Sequence, residues 1–239
     1  MIMKKYIPDC ITSMNLLCGI VGVVFAFKGR LDLAFILMIA ASVADFLDGF
    51  AARALNAYSD MGKELDSLSD LVSFGVLPSI MLYRLSCTCM FGESWINWIP
   101  LLIALASGLR LAKFNVDDRQ SSSFLGLPTP AAALLCGSLC YYVASNPGSF
   151  LADWCAGPVF IPLLSVCICV LLVSEIPMFS FKFHKGDPAS LQYKRAALAG
   201  LAIAAVAACL IFSINWSFVI LATLICYILK NIIYAVFKL

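Results

Sequence analysis

Runs of apolar residues, each near the roughly 20 that an α-helix needs to cross a bilayer, follow one another through almost the whole chain with only short polar joints between them. In hydrocarbon every backbone N–H and C=O must be satisfied internally, so such a chain folds as helices or as a closed barrel, and runs of this length select helices. The runs fall at residues 11–27, 31–52, 62–85, 96–114, 128–144, 158–178, 196–214 and 216–237, and Pro78 is expected to kink the third. The expectation is an all-α, polytopic transmembrane bundle of about eight spans, forming a single domain over residues 1–239. With 62% hydrophobic and 13% charged residues, the chain carries too much apolar surface for a soluble core.

Charge gives the orientation. All but Lys28, Arg30 and Arg84 of the 16 basic residues fall on one set of joints and flanks. The positive-inside rule therefore places both termini in the cytoplasm. A net charge of +2 with no basic patch argues against nucleic acid as a partner. The segment 1–9 is short and basic, leads into no recognisable cleavage site, and is expected to be retained. Of the 11 cysteines most sit inside apolar runs, where Cys packs as a small hydrophobe; Cys87 and Cys89, expected in an outer loop, are the one pair whose redox state could matter.

Against this background the acids of residues 45–70 stand out, because an ionisable group within a membrane span is costly and suggests function. Asp45 and Asp48 are three residues apart and share a helix face with Gly49 and Ala52; Asp66 and Asp70 are four apart, with Gly62 one turn before them and Ser69 and Ser73 close to the same line. The polar link 53–63 is short enough for the two helices to turn back on each other, so that four carboxylates converge. At about 4 Å and an effective dielectric near 20, each like-charged pair costs roughly 4 kcal/mol, so the cluster must bind a cation or share protons. All-oxygen ligation without His or Cys points to hard divalent cations rather than zinc. Spacing alone leaves three readings open: metal-assisted displacement at phosphorus, an ion or proton path in a transporter, and acids that snorkel to the surface.

A second group of polar residues follows the fourth run. Arg110 and Lys113 are one turn apart, with Asn115 beyond them, and a polar loop leads to Phe124-x-Gly126-Leu127-Pro128-Thr129-Pro130. Such a face suits a phosphate or carboxylate, although basic residues at a span end also snorkel without further role. His184 reads as solvated, Trp95, Trp98, Trp154 and Trp216 read as an interfacial belt, and Glu175 has no evident chemistry.

The pattern Asp45-x2-Asp48-Gly49-x2-Ala52-Arg53-x8-Gly62-x3-Asp66-x3-Asp70 resembles the complete signature of the CDP-alcohol phosphotransferases. The run 65–75, the segment 110–115, the Phe124 to Pro130 motif and the opening Tyr6-Ile7-Pro8 to Asn15-Leu16-Leu17-Cys18-Gly19 are similar to the membrane-embedded phosphatidylserine synthase branch. The likeness implies phosphatidyl transfer from CDP-diacylglycerol to L-serine, with release of CMP, in a prokaryotic cytoplasmic membrane with the site facing the cytoplasm. It implies two divalent cations, Mg²⁺ or Mn²⁺ with Ca²⁺ admitted, held by Asp45, Asp48, Asp66 and Asp70, with Asp70 also the catalytic base. It implies a nucleotide wall of Asp48, Gly49, Ala52, Arg53, Gly62 and Asp66. Candidates for the acceptor or phosphate are Arg110, Lys113, Asn115, Thr129 and Asn15, and a homodimer is expected. The alternatives are the same chemistry on glycerol phosphate or inositol phosphate, or a cation- or proton-coupled transporter.

Overall fold

The computed structural model describes residues 6–89, 94–116, 124–178 and 215–237. The described chain is helical except for one two-residue ladder. Helix α1 (Tyr6–Phe27) and helix α2 (Leu31–Leu55) pack along each other, and the buried face of α1 carries Pro8, Thr12, Asn15, Gly19, Gly22 and Ala26. Those residues recur every three or four positions, so they form one stripe, and the large side chains of α1 are left to face outward. At the joint between α1 and α2, Arg30 donates from Nε and Nη2 to the two oxygens of Asp32 at 3.0 and 2.9 Å. The basic turn that runs against the charge bias is thus partly neutralised.

The link between the acid-bearing helices is shorter than expected, residues 56–59. Asn56 ends α2 in the left-handed region (φ 49°, ψ 44°), which Asn tolerates better than most residues, and the Ala57 N–H reaches back to the Ala52 carbonyl at 3.0 Å. Ser59 then caps the next helix, its Oγ accepting from the Gly62 N–H at 2.9 Å. Helix α3 (Asp60–Cys89) is continuous through the third apolar run. The irregularity expected at Pro78 lies one turn earlier, as a π-helical stretch Leu71–Val76 in which the Leu77 N–H bonds to the Val72 carbonyl. Proline has no N–H and its ring crowds the carbonyl four residues before it, so the turn ahead of Pro78 widens. Cys87 and Cys89 belong to the last turn of α3, not to an outer loop, and both are free thiols.

Helix α4 (Trp95–Val116) opens as a 3₁₀ segment capped by Ser94. Helix α5 (Thr129–Ser145) runs through the middle of the bundle, with Ala132, Ala133, Cys136, Leu139 and Cys140 buried against Phe35 and Met38 of α2 and Leu77, Met81 and Leu82 of α3. Helices α6 (Phe150–Ala156) and α7 (Phe160–Val173) meet at a 90° bend, and helix α8 (Trp216–Phe237) packs on α5. At the start of α8 the Trp216 ring stacks on Phe35 at 5.5 Å.

The ladder pairs β1 (Phe124–Leu125) antiparallel with β2 (Pro177–Met178). It ties the loop before α5 to the chain leaving α7. Among the described residues five helices are long and apolar enough to cross a membrane, or six if α6 and α7 form one broken span. The expected fifth run is the shorter apolar helix α5, and the expected run 196–214, with His184, lies outside the described residues.

Candidate metal centre

The two acid-bearing helix ends meet. Asp45 and Asp48, in the last turns of α2, and Asp66, in the second turn of α3, each place a carboxylate oxygen within 4.8 Å of the other two. Asp48 is buried, and its Oδ2 accepts a hydrogen bond from the Thr12 hydroxyl at 2.6 Å. Asp70, one turn beyond Asp66, stands outside that trio, where its Oδ1 accepts from the Asn15 side-chain amide at 3.3 Å. It lies within the electrostatic reach of Asp45, Asp66 and, less strongly, Asp48.

Helix α1 therefore does more than pack. The Ser69 and Ser73 hydroxyls, which the sequence sets close to the line of Asp66 and Asp70, are buried and donate to α1 carbonyls: Ser69 to Thr12 at 3.3 Å, Ser73 to Asn15 at 3.0 Å. Thr12 and Asn15 thus receive α3 on their backbones and hold acids of α2 and α3 with their side chains. Asn15 was legible as a polar residue in an apolar run; Thr12 was not, because a lone threonine is common in membrane helices. The signal was the joint spacing of Thr12, Asn15, Gly19 and Gly22 on one stripe, with polar and small residues where an isolated span carries bulk.

The other expected site residues are placed as follows. Gly49 and Ala52 keep the α2 face low, and the exposed Arg53 folds back so that its guanidinium passes 3.5 Å from where a Cβ on Gly49 would lie. Gly62 lies against Asp9 of α1; a Cβ there would stand 2.8 Å from Asp9 Oδ1. Arg110 of α4 is buried and donates from Nη1 to the Thr129 hydroxyl at 2.6 Å, within electrostatic reach of Asp70 and of Tyr227 on α8. Its Nε is buried with no hydrogen-bond partner among the described residues. Asn115 donates to Ser67 Oγ at 2.9 Å, which joins the end of α4 to α3 beside Asp66. Lys113 does not share the Arg110 environment: it is half exposed and pairs with Glu175 at 2.8 Å.

The donor set suits a hard cation. Three carboxylates at 4.8 Å or less repel by about 3.5 kcal/mol per fully charged pair at an effective dielectric near 20, and a divalent ion among them reverses that sign. Carboxylate oxygens without nitrogen or sulfur match Mg²⁺, Mn²⁺ or Ca²⁺ by ligand type.

A helical membrane protein that gathers acids from two neighbouring helices at one end of its bundle defines a class of metal-site membrane proteins, and comparison with known proteins narrows it. A family model described as CDP-alcohol phosphatidyltransferase matches residues 5–167. The chain is similar to the CDP-diacylglycerol–serine O-phosphatidyltransferase of Bacillus subtilis, with 33% identity over 187 residues, 77% of this chain and 95% of that one. It is 34% identical over 234 residues to the protein of the same name from Mycobacterium tuberculosis, covering 94% of this chain and 77% of the relative. It is also 33% identical over 172 residues to the archaetidylserine synthase of Methanothermobacter thermautotrophicus, covering 71% and 68%. The chain belongs to the CDP-alcohol phosphatidyltransferase family, whose members use a divalent metal, and its apolar helices make it an integral membrane protein.

Proposed function

We propose that this chain transfers the phosphatidyl group of CDP-diacylglycerol to the hydroxyl of L-serine, giving phosphatidylserine and CMP. The observation that carries the proposal is the convergence of Asp45, Asp48 and Asp66 within 4.8 Å, in a chain whose curated relatives bear the serine transferase name over most of their length. The serine oxygen attacks the lipid-linked phosphorus, the bond from that phosphorus to the CMP oxygen breaks, and the hydroxyl proton passes to a carboxylate.

In this reading Asp45, Asp48 and Asp66 hold two divalent ions, Mg²⁺ or Mn²⁺, with Asp70 as a shared fourth ligand. Bound there, the ions offset the pyrophosphate charge and ease departure of CMP. Asp70 is the base for the serine proton, and the Asn15 side-chain amide donates to its Oδ1 at 3.3 Å. Asp48, Gly49, Ala52, Arg53, Gly62 and Asp66 form the nucleotide wall, a reading supported by the small Gly49 and Ala52 and by the exposed Arg53 guanidinium that folds over Gly49. Arg110 takes the serine carboxylate or the transferred phosphate. A guanidinium buried in a membrane span is costly unless it meets an anion; Arg110 bonds to the neutral Thr129 hydroxyl, with Asp70 only within electrostatic reach, and its buried Nε has no partner among the described residues. Lys113 and Asn115 stand further out. The chain works as a single domain, with both termini and the site on the cytoplasmic side of a prokaryotic cytoplasmic membrane, and as a homodimer.

The test supplies purified protein in detergent with CDP-diacylglycerol and radiolabelled serine, with and without chelator. The proposal expects labelled lipid and CMP in equal amounts, both abolished by chelator. Labelled lipid formed only from glycerol phosphate or inositol phosphate would move the reading to another acceptor. Ion flux in proteoliposomes without CMP release would replace it with transport.

A further inference from the structure

Apart from Thr129, which holds Arg110, the motif Phe124 to Pro130 and the acid Glu175 have no part in the reaction just described, yet they meet at one place. The last turn of α7 leaves carbonyls without intrahelical partners, and the loop before α5 supplies N–H groups to that end of the chain. Leu127 donates to the Leu171 carbonyl and Gly126 to the Ile176 carbonyl, each at 2.9 Å, and the β1–β2 ladder continues the contact. Gly126 has φ +76°, a conformation that side-chain-bearing residues rarely adopt, and a Cβ there would stand 2.7 Å from the Ser174 carbonyl oxygen and 2.8 Å from that of Leu172. Both obstacles are backbone, so the loop docks only because that residue is glycine.

Three residues on, Thr129 is fully buried and holds Arg110 Nη1 at 2.6 Å. From the other side, Lys113, one turn beyond Arg110 on α4, reaches Glu175 of the same post-α7 segment at 2.8 Å. The helix end that carries Arg110 is therefore fastened twice to residues 171–176.

We propose that residues 171–176, acting through Gly126 and Thr129 and seconded by the Lys113–Glu175 pair, position the Arg110 guanidinium for the anionic group of the acceptor alcohol, which makes Gly126 and Glu175 positioning residues for acceptor affinity. This rests on the serine reading and deepens it: a guanidinium recognises a carboxylate or phosphate through a planar fork, so a small displacement costs affinity for the acceptor while leaving the lipid nucleotide, held at the acids, unaffected.

The experiment measures initial rates of the purified protein in nanodiscs with Mn²⁺, varying serine at saturating CDP-diacylglycerol and then the reverse. Gly126→Ala is expected to raise KM for serine about tenfold or more, with KM for CDP-diacylglycerol and Mn²⁺ affinity within about twofold of wild type. Glu175→Gln, which neutralises the exposed acid facing Lys113, is expected to raise KM for serine about two- to threefold. Thr129→Val is expected to match Gly126→Ala, and Thr129→Ser to restore the wild-type value; this pair carries the test if Gly126→Ala does not accumulate as folded protein.

The decisive comparison is the double variant. If Gly126 acts through Arg110, then Gly126→Ala with Arg110→Lys is no worse than Arg110→Lys alone. Losses that multiply, a KM for CDP-diacylglycerol that rises equally, or a Thr129→Ser as impaired as Thr129→Val overturn the positioning role. A wild-type protein that incorporates no serine overturns the serine reading instead, and this inference with it.

Discussion

Replacing Gly19 with alanine should loosen α1 from α3 and, through that one contact, disturb the acid site. A Cβ on Gly19 would collide with Ser73 Oγ and lie 3.0 Å from Ser73 Cα and 3.1 Å from Ser73 N, tighter than most real Cβ contacts, so the helices must part by roughly 0.5 Å to restore ordinary contact. Overpacking costs about 1–3 kcal/mol, and an obstacle of rigid backbone puts this site in the upper half of that range, about 2–3; alanine's better helix propensity returns about 1, which leaves a net loss of about 1–2 kcal/mol. Gly22 is one turn away on the same stripe and supplies the control. A Cβ there would meet Leu77 Cδ2 at 2.7 Å, but that is the end of a flexible side chain, whose displacement costs about 0.5–1.5 kcal/mol and roughly cancels the propensity gain.

In a thermal melt followed with a thiol-reactive dye, which reports the buried Cys136, Cys140 and Cys155 as they become exposed, Gly19→Ala should lower Tm by about 2–8 °C and Gly22→Ala by little. Activity should fall about tenfold or more in Gly19→Ala, because a parted α1 carries Thr12 and Asn15 away from Asp48 and Asp70. Equal Tm and equal activity for the two variants would refute the reasoning, since it predicts a difference only from what each Cβ would touch.

Three further outcomes follow from the same contacts. Asp66→Asn should leave the protein in the membrane with less than about a tenth of wild-type turnover, a barrier change above about 1.4 kcal/mol, measured as CMP release. Thr12→Val, nearly isosteric but without the hydroxyl that reaches Asp48, should weaken Mn²⁺ binding by about 10- to 100-fold in an electron paramagnetic resonance titration, while Thr12→Ser should bind as wild type does. Ser59→Ala removes the cap of α3 and should lower stability by about 1 kcal/mol, read in the same thermal melt.

The helices with high mean hydropathy were legible in the sequence to within a few residues, because length and apolar content together leave little else for a segment such as Tyr6–Phe27 to do. So was the meeting of Asp45, Asp48 and Asp66, because a three-residue spacing on one helix, a tight link and a second helix bring those faces together. What escaped the sequence depends on partners distant in the chain. Ser69 and Ser73 shared the line of the acids in the sequence, but that their hydroxyls are spent on α1 carbonyls was not readable there, and the bond from Thr12 to Asp48 joins positions 36 residues apart. Pro78 announced an irregularity, but its steric effect is felt at the carbonyl four residues earlier, which moved the widened turn upstream. Glu175 had no partner in sequence terms, because Lys113 reaches it only after the loop at Gly126 has docked on the end of α7. Helix α6, capped by Ser149, lies ahead of the expected run 158–178 and was not read from the sequence; that run corresponds to α7 (Phe160–Val173), which meets α6 at 90°.

The central claim is that the carboxylates of Asp45, Asp48 and Asp66 hold a divalent cation on which transfer depends, and it is tested most directly by anomalous diffraction from crystals of this protein grown with Mn²⁺. The account predicts a manganese peak between the three side chains, within about 2.0–2.6 Å of an oxygen from each, that disappears in Asp66→Asn. A manganese peak lying elsewhere, or no peak at these acids in protein that is active with Mn²⁺, would contradict it.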